Sequence, residues 1–313
     1  MPARVMISGS VAYDTIMVFE GQFKDHILPD RVHMINVSFF APTLKREFGG
    51  CAANIAYNLK GLGGEPVVLA AVGRDGQDYM DRFASLGIDH SRVLQVDGHY
   101  TAQAFITTDL SDNQISAFHP GAMARAHEVS ASGDQTVTWG IVAPNSKEAM
   151  LRHAAEFADQ SCSWIFDPGQ QLPAFDGPEL RDLIGRASAV AVNDYECQLL
   201  CERTGWSEAD MAERVGALIV TRGAQGSWVY VGAQRHELAP VKAGRALDPT
   251  GCGDAYRGGL LYGLTHGMDW VAAARLGSVM GALKIEHAGA QNHRIDRAEV
   301  ASRYRETYGS SPW

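Results

Sequence analysis

The sequence predicts an α/β fold: a central, mostly parallel sheet flanked by helices, with a small second β-sheet inserted into it. Three observations carry that prediction. Short β-branched runs alternate with segments of helical period. Two stretches, 13–47 and 99–119, break the alternation with strand-like segments alone. Finally, 313 residues with 46% hydrophobic and 20% charged content describe a globular chain that can bury a large core without disulfides.

The elements follow in order. Val5–Gly9 is the first strand candidate, and Ser8-Gly9-Ser10 reads as the turn that ends it; Val5–Ile7 is too short for the apolar region of a secretion signal. In Ala52–Leu62 the residues Ile55, Leu59 and Leu62 fall at i, i+4 and i+7, a helix stopped by Gly61, Gly63 and Gly64. The strand Val67–Val72 and the helix Gln77–Leu86 come next. The strands Val137–Val142, Trp164–Asp167, Ala189–Val192 and Ala217–Thr221 then alternate with helices at Ser146–Ala158, Pro178–Ile184 and Tyr195–Arg203, and three helices follow Asp254. The interruptions hold Thr15–Phe19, His33–Phe39, Thr101–Thr107 and Gln114–Phe118. Strands from two insertions would pair into a separate sheet projecting over the site as a lid; ordinary surface excursions are the alternative. The division is a core of 1–12, 48–98 and 120–313 and a lid of 13–47 and 99–119.

Composition excludes several function classes. Lys+Arg 27 against Asp+Glu 36 leaves a net charge of −9 with no basic block, which argues against binding a nucleic-acid polymer. No apolar run reaches the roughly 18 residues of a membrane span. The five cysteines are odd in number and scattered, as suits a reducing cytoplasm. Cys197 and Cys201 share a helical face, but no second pair completes a zinc site.

The strongest chemical signal is Asp248-Pro249-Thr250-Gly251-Cys252-Gly253-Asp254, leading into a helical segment. Glycines at 251 and 253 let consecutive amides face one point at a helix N-terminus, where they and the dipole hold a phosphate without a lysine. A carboxylate beside an anion is repelled by it, so Asp254 makes sense there as a group that handles a proton. Helix capping would explain Asp254 alone but leaves both glycines idle. The Walker-type Gly-x-x-x-x-Gly-Lys-Ser/Thr is absent, and Tyr256 stands where a dinucleotide fingerprint needs Gly.

This segment resembles the C-terminal signature of the ribokinase-like (PfkB) carbohydrate and nucleoside kinases. Gly49-Gly50-Cys51-Ala52-Ala53-Asn54 with Gly61 and Gly63-Gly64 resembles their N-terminal signature, as do Gly9-Ser10 with Asp14 and the Asn-x-x-Glu element Asn193-Asp194-Tyr195-Glu196. Four motifs in order span nearly the whole chain. Within the family, Leu28-Pro29, Ser38-Phe39, Phe118-His119-Pro120-Gly121-Ala122-Met123, Asp167-Pro168-Gly169-Gln170-Gln171-Leu172 and Thr204–Asp210 are similar to bacterial adenosine kinases.

The resemblance implies ATP-dependent phosphorylation of the adenosine 5′-hydroxyl, with Asp254 as general base and Gly251, Cys252 and Gly253 as the anion hole. It implies nucleoside contacts from Ser10, Asp14, Ser38, Gly50 and Asn54, with Phe118, Gln170 and Gln171 around the base. From the residues alone, Gln170-Gln171 reads as a polar loop. For ATP it implies Asn193, Thr221, Gly223 and Gly226, with Glu196 acting on Mg2+ through water and residues 286–293 around the adenine. It also implies a monovalent cation, K+, near Asp248 and Thr250, and a homodimer through the lid. The Thr221–Gly226 turn reads alternatively as the approach to a hairpin. Cys252 stands where many relatives carry Ala or Val; at a helix N-terminus its thiol pKa is expected to fall, making it oxidant-sensitive. Phe105 is left out because a one-residue slip would turn it to the other face. A broader purine nucleoside kinase and a ribokinase- or fructokinase-type sugar kinase share every catalytic motif.

Overall fold

The computed structural model describes residues 3–27, 34, 36–160 and 162–313, and the account below concerns these. The strands are β1 (Arg4–Ser8), β2 (Ala12–Val18), β3 (Thr43–Gly49), β4 (Glu65–Gly73), β5 (Asp89–Val96), β6 (Ala102–Thr108) and β7 (Gln114–His119). They continue with β8 (Val137–Val142), β9 (Ser163–Phe166), β10 (Ala189–Asn193), β11 (Ala217–Thr221), β12 (Ser227–Val231) and β13 (Gln234–Leu238). The helices are α1 (Cys51–Gly61), α2 (Gln77–Leu86), α3 (Lys147–Asp159), α4 (Gly177–Arg186), α5 (Asp194–Thr204), α6 (Glu208–Ala212), α7 (Cys252–Thr265), α8 (Trp270–Ile285) and α9 (Arg297–Tyr308).

Nine strands form the larger sheet in the order β13-β12-β11-β10-β9-β8-β1-β4-β5. It is parallel except for the β11-β12-β13 hairpins at one edge. Its inner strands β1, β4, β9, β10 and β11 are apolar on both faces because both are covered, the expected condition of a parallel sheet. In β1, Val5 and Ile7 join one core while Met6 joins the other. In β11, Ile219 faces the first core, and Leu218 and Val220 the second. The first core is closed by Ile55 and Leu59 of α1, Phe83 of α2, Leu260 and Leu261 of α7, Leu276 of α8 and Val300 of α9. The second is closed by Phe157 of α3, Leu183 of α4, Leu200 of α5 and Met211 of α6.

The smaller sheet has the order β3-β2-β6-β7. The strand expected at His33–Phe39 is not one of its members. His33 and Ile35 lie outside the described residues, as does Leu28-Pro29, and 36–40 has no strand. Phe39 packs instead in an aromatic cluster, its ring 4.9 Å from both Phe19 and Phe23. The pairing strand is β3, whose register sets Glu47 against Asp14 and Gly49 against Ala12. The smaller sheet thus runs straight into α1, with Gly50 between them.

A buried ion pair ties α7 to the sheet. Arg257 meets Asp167, after β9, through two bonds of 3.0 Å, and donates a third of 3.0 Å to the Ala191 carbonyl of β10. Both side chains are 6% exposed. Removing one member of such a pair leaves an uncompensated charge, so Arg257→Met is expected to lower folding stability by about 3–5 kcal/mol. Urea unfolding measures this, and a loss under about 1 kcal/mol would place the pair in contact with water.

Candidate functional site

The parallel strands present their carboxyl ends along one edge, where ligands of open α/β sheets bind. Ser10 follows β1, Asp167 follows β9, and Asn193 and Thr221 end β10 and β11. On this edge the first turns of α1 and α7 meet.

Each of those helices begins at a glycine that no other residue replaces freely. Gly50 caps α1 at φ +90, and a Cβ there would lie 2.6 Å from both the Ala12 nitrogen and the Ser10 carbonyl oxygen. Just beyond it, the Cys51 amide donates to Ser10 Oγ at 3.0 Å. Gly251 caps α7 in the left-handed region at φ 78, where a Cβ would press within 2.8 Å of Ala290 Cβ. First-turn amides have no intrahelical acceptor. The Cys252 amide is turned to the Pro249 carbonyl at 3.1 Å. Asn54, in the first turn of α1, donates from Nδ2 to Asp254 Oδ2 of α7 at 2.8 Å.

Burial raises Asp254 to about 6; the Asn54 hydrogen bond opposes the shift and the Asp167 charge adds to it. Asp14 is likewise pushed up to about 6 by burial, with repulsion from Asp248 and Glu47. It needs the space left by Gly49, whose Cβ would sit 2.5 Å from Asp14 Oδ2. Two carboxyl groups poised near neutrality therefore share one electrostatic environment.

The register of the smaller sheet sorts its residues. Asp14, Ala104 and Phe118 lie in one cross-strand row on β2, β6 and β7, so Phe118 shares the face of Asp14, two strands and about 10 Å away. It is 49% exposed. Phe105 belongs to the next row, with Thr15 and Ala117, and faces the other way. Ser38 is exposed and outside the strands.

Beside α7 lies a cleft of about 550 Å3, lined by Thr221, Gly223 and Gly226 together with Cys252 and Gly253. The Thr221–Gly226 turn is the β11–β12 hairpin connection, the alternative reading of this stretch, and it borders the cleft. Two expectations change here. Residues 286–293 do not line the cleft. Gln291 and His293 are drawn instead onto α1, Gln291 Nε2 bonding Asn54 Oδ1 at 2.9 Å and His293 Nε2 meeting Asn58 Oδ1 at 2.8 Å. The walls are Pro240–Ala243, Ala246 and the α8 residues Ser278, Gly281, Ala282 and Ile285. The Cys252 thiol is raised, not lowered, to about 11: burial outweighs the attraction of Lys284, and Asp248 and Asp254 add repulsion. An activated thiol is thus overturned.

Asn193 and Glu196 form a capping box on α5: the Asn193 amide donates to Glu196 Oε2 at 2.8 Å, and the Glu196 amide to Asn193 Oδ1 at 2.7 Å. Burial and the Asp167 charge raise the Glu196 carboxyl. Gln170 and Gln171 sit in the short helical turn after Pro168, the first exposed and the second half-buried. Asp248 accepts amides from Thr250 at 2.9 Å and Gly289 at 2.7 Å. Burial pushes its carboxyl up, but these bonds and Lys284 hold it below the usual range.

Lys284 and Arg257 were missed as members of this environment, while Asp167 was read only within the Asp167–Leu172 phrase and Gln291 only within the 286–293 stretch around the adenine. For Arg257 a signal existed, the one cation of α7 set just before its apolar turns. Gln291 in a loop carried none.

The family model for pfkB family carbohydrate kinases matches residues 17–297. The chain belongs to that family. A nucleoside kinase of Methanocaldococcus jannaschii is 32% identical, over 82% of this chain and 85% of that protein. The structure of Burkholderia thailandensis nucleoside kinase in complex with inosine superposes with a TM-score of 0.89 at 48% identity, covering 98% of this chain and 99% of that one. An aminoimidazole riboside kinase of Salmonella typhimurium is 26% identical over 71% of this chain and 75% of that protein. The ribokinase-like fold, a large mostly parallel sheet plus a smaller one, is shared with these kinases.

In a family kinase with this geometry, pH acts through the two raised carboxyls. Burial favours their neutral forms, so both protonate as pH falls through about 6. The kcat/KM for the phosphoryl acceptor is expected to fall below that pH with a slope steeper than one proton. A profile flat down to about pH 5 would show that neither ionised carboxylate is needed.

Proposed function

We propose that the protein is a nucleoside kinase that transfers the γ-phosphoryl group of ATP to the 5′-hydroxyl of adenosine. The Asn54–Asp254 contact at the joined ends of α1 and α7 carries the reading. It holds a carboxylate of pKa about 6 beside a glycine turn, the pairing an in-line phosphoryl transfer to a hydroxyl requires.

Each group has a part. Asp14 accepts hydrogen bonds from ribose hydroxyls, which a carboxylate does best when ionised. Ser10, Gly50 and Asn54 line the approach to Asp254, which removes the 5′-hydroxyl proton. Amides of Gly251, Cys252 and Gly253 take up the charge of the transferred group; for Cys252 this means leaving the Pro249 carbonyl. Thr221, Gly223, Gly226 and Asn193 serve ATP, whose adenine fits the apolar walls of the cleft. Phe118, Gln170 and Gln171 meet the nucleoside base when the smaller sheet closes as a lid, and closure keeps water from the phosphoryl group. The exposed face carrying Phe105, Leu44 and Ile115 is the surface for a homodimer.

Among the described residues no three His, Cys, Asp or Glu side chains are grouped to hold a metal ion. The site therefore suits Mg2+ carried in by the nucleotide, which keeps part of its water shell. Glu196, whose second oxygen is not used in the capping box, would meet that shell. When bound, the ion neutralises phosphate charge.

The alternative of a broader purine nucleoside kinase is favoured by one observation, the inosine bound to the Burkholderia thailandensis relative. ADP release with Mg-ATP and equal concentrations of adenosine, inosine, guanosine, ribose and fructose separates the readings. Turnover led by adenosine is expected. Equal rates with inosine support the broader kinase, and turnover led by a free sugar removes the nucleoside reading. Asp254→Asn is expected to lower kcat by roughly 10²–10⁴ or more with adenosine binding retained. A fall of less than about tenfold would assign the base elsewhere.

A further inference from the structure

A lysine stands where the resemblance placed a potassium ion. Lys284, in the last turn of α8, is fully buried. Its ammonium donates to the Asp248 carbonyl at 2.7 Å and the His287 carbonyl at 3.0 Å, and lies 3.8 Å from Asp248 Oδ2. Two backbone carbonyls and a carboxylate are the oxygen ligands a dehydrated alkali ion takes. Here they surround a covalently tethered cation, so the side chains present do not fit a separate monovalent ion at Asp248 and Thr250.

We propose that Lys284 is a built-in cation that replaces a monovalent metal ion and positions the Asp248–Gly253 turn, making the reaction independent of K+. The proposal rests on the kinase reading above. The ammonium joins the two loops that pack beneath Gly251. One supplies Asp248, whose carboxylate takes the Thr250 amide; the other supplies His287, Gly289 and Ala290, and the Gly289 amide donates to the same carboxylate. The amides of Leu247 and Asp248 add bonds of 2.8 and 3.1 Å to the Ile285 carbonyl, one residue beyond the lysine. Burying an ammonium is costly unless its donors are met; here two of the three are met by backbone carbonyls that also set the turn, and the Asp248 carboxylate lies 3.8 Å away. Its charge reaches the anion turn, lowering the proton affinity of Cys252 and Asp248 against the opposing effect of burial. Lys284 is a positioning residue, acting through the turn and not on the substrate.

The test compares kcat, KM for ATP and thermal midpoint in potassium, sodium and choline chloride at equal ionic strength. For the wild type all three quantities are expected to agree within about twofold in rate and to show no K+-specific rise in midpoint. Activation by K+ of about tenfold or more would overturn the proposal. Lys284→Ala is expected to lower kcat by about 10²-fold with adenosine affinity retained, and K+ or methylammonium, unlike choline, to restore about tenfold of it. A variant with wild-type kcat, or a loss that no cation reverses, would also overturn it. If Lys284→Ala does not fold, the wild-type comparison decides. If no nucleoside is turned over, the kinase reading fails separately, and the wild-type midpoint in K+ against choline still tests the cation.

Discussion

The hydrogen bond from Asn54 to Asp254 joins two helix N-termini, and much of the surrounding packing serves to bring those ends together. Helix α7 sits against α1 on one side and α8 on the other at distances that only glycine allows. A Cβ on Gly258 would lie 2.7 Å from Asn58 Cβ, and one on Gly259 would lie 2.9 Å from Gly277 Cα. Loss of side chains at these positions lets backbone meet backbone, and the buried Arg257–Asp167 pair then ties α7 to the sheet. Gln291 completes the arrangement by bonding Asn54 Oδ1 and the Tyr79 hydroxyl, each at 2.9 Å. With its amide so held, Asn54 presents its NH2 group to Asp254 and can present nothing else.

The same burial that orders the site perturbs its acids. Asp14 comes from β2 of the smaller sheet and Asp254 from the first turn of α7, far apart in the chain, yet both are raised to about 6. In the ligand-free protein at neutral pH both are held charged against desolvation, an unfavourable state for folding. On the proposed reading, a bound nucleoside would relieve part of it, with ribose hydroxyls donating to Asp14 and the 5′-hydroxyl to Asp254. That reading would couple the binding of substrate and the ionisation of the proposed base through the same two oxygen clusters.

How much of this was legible in sequence depends on the kind of signal. The alternation of Val5, Met6 and Ile7, and of Leu218, Ile219 and Val220, revealed strands covered on both faces. The Gly-x-Gly-Asp run marked the left-handed glycine turn that starts α7 because glycine spacing is a backbone property. The third strand of the smaller sheet was misplaced because Phe39 is apolar for the sake of Phe19 and Phe23, not of a sheet face. Meanwhile the true strand, Thr43–Gly49, carries Lys45, Arg46 and Glu47 and is mostly exposed. The Cys252 expectation failed on a balance of magnitudes: the helix terminus was weighed and burial was not. Lys284 went unread because its partners are carbonyl oxygens, which every residue has and no sequence displays. Phe105 and Phe118, one step apart in register, could be assigned to faces only once β2, β6 and β7 were paired.

The central claim is that the joined ends of α1 and α7 direct phosphoryl transfer to a nucleoside 5′-hydroxyl. Phosphorus-31 NMR of the protein with Mg-ATP and adenosine tests it directly, because the signal identifies the acceptor oxygen. One nucleoside 5′-monophosphate is expected for each ADP formed, and no turnover when 5′-deoxyadenosine replaces adenosine. Phosphate appearing in place of the monophosphate, or transfer to 5′-deoxyadenosine at an undiminished rate, would contradict it.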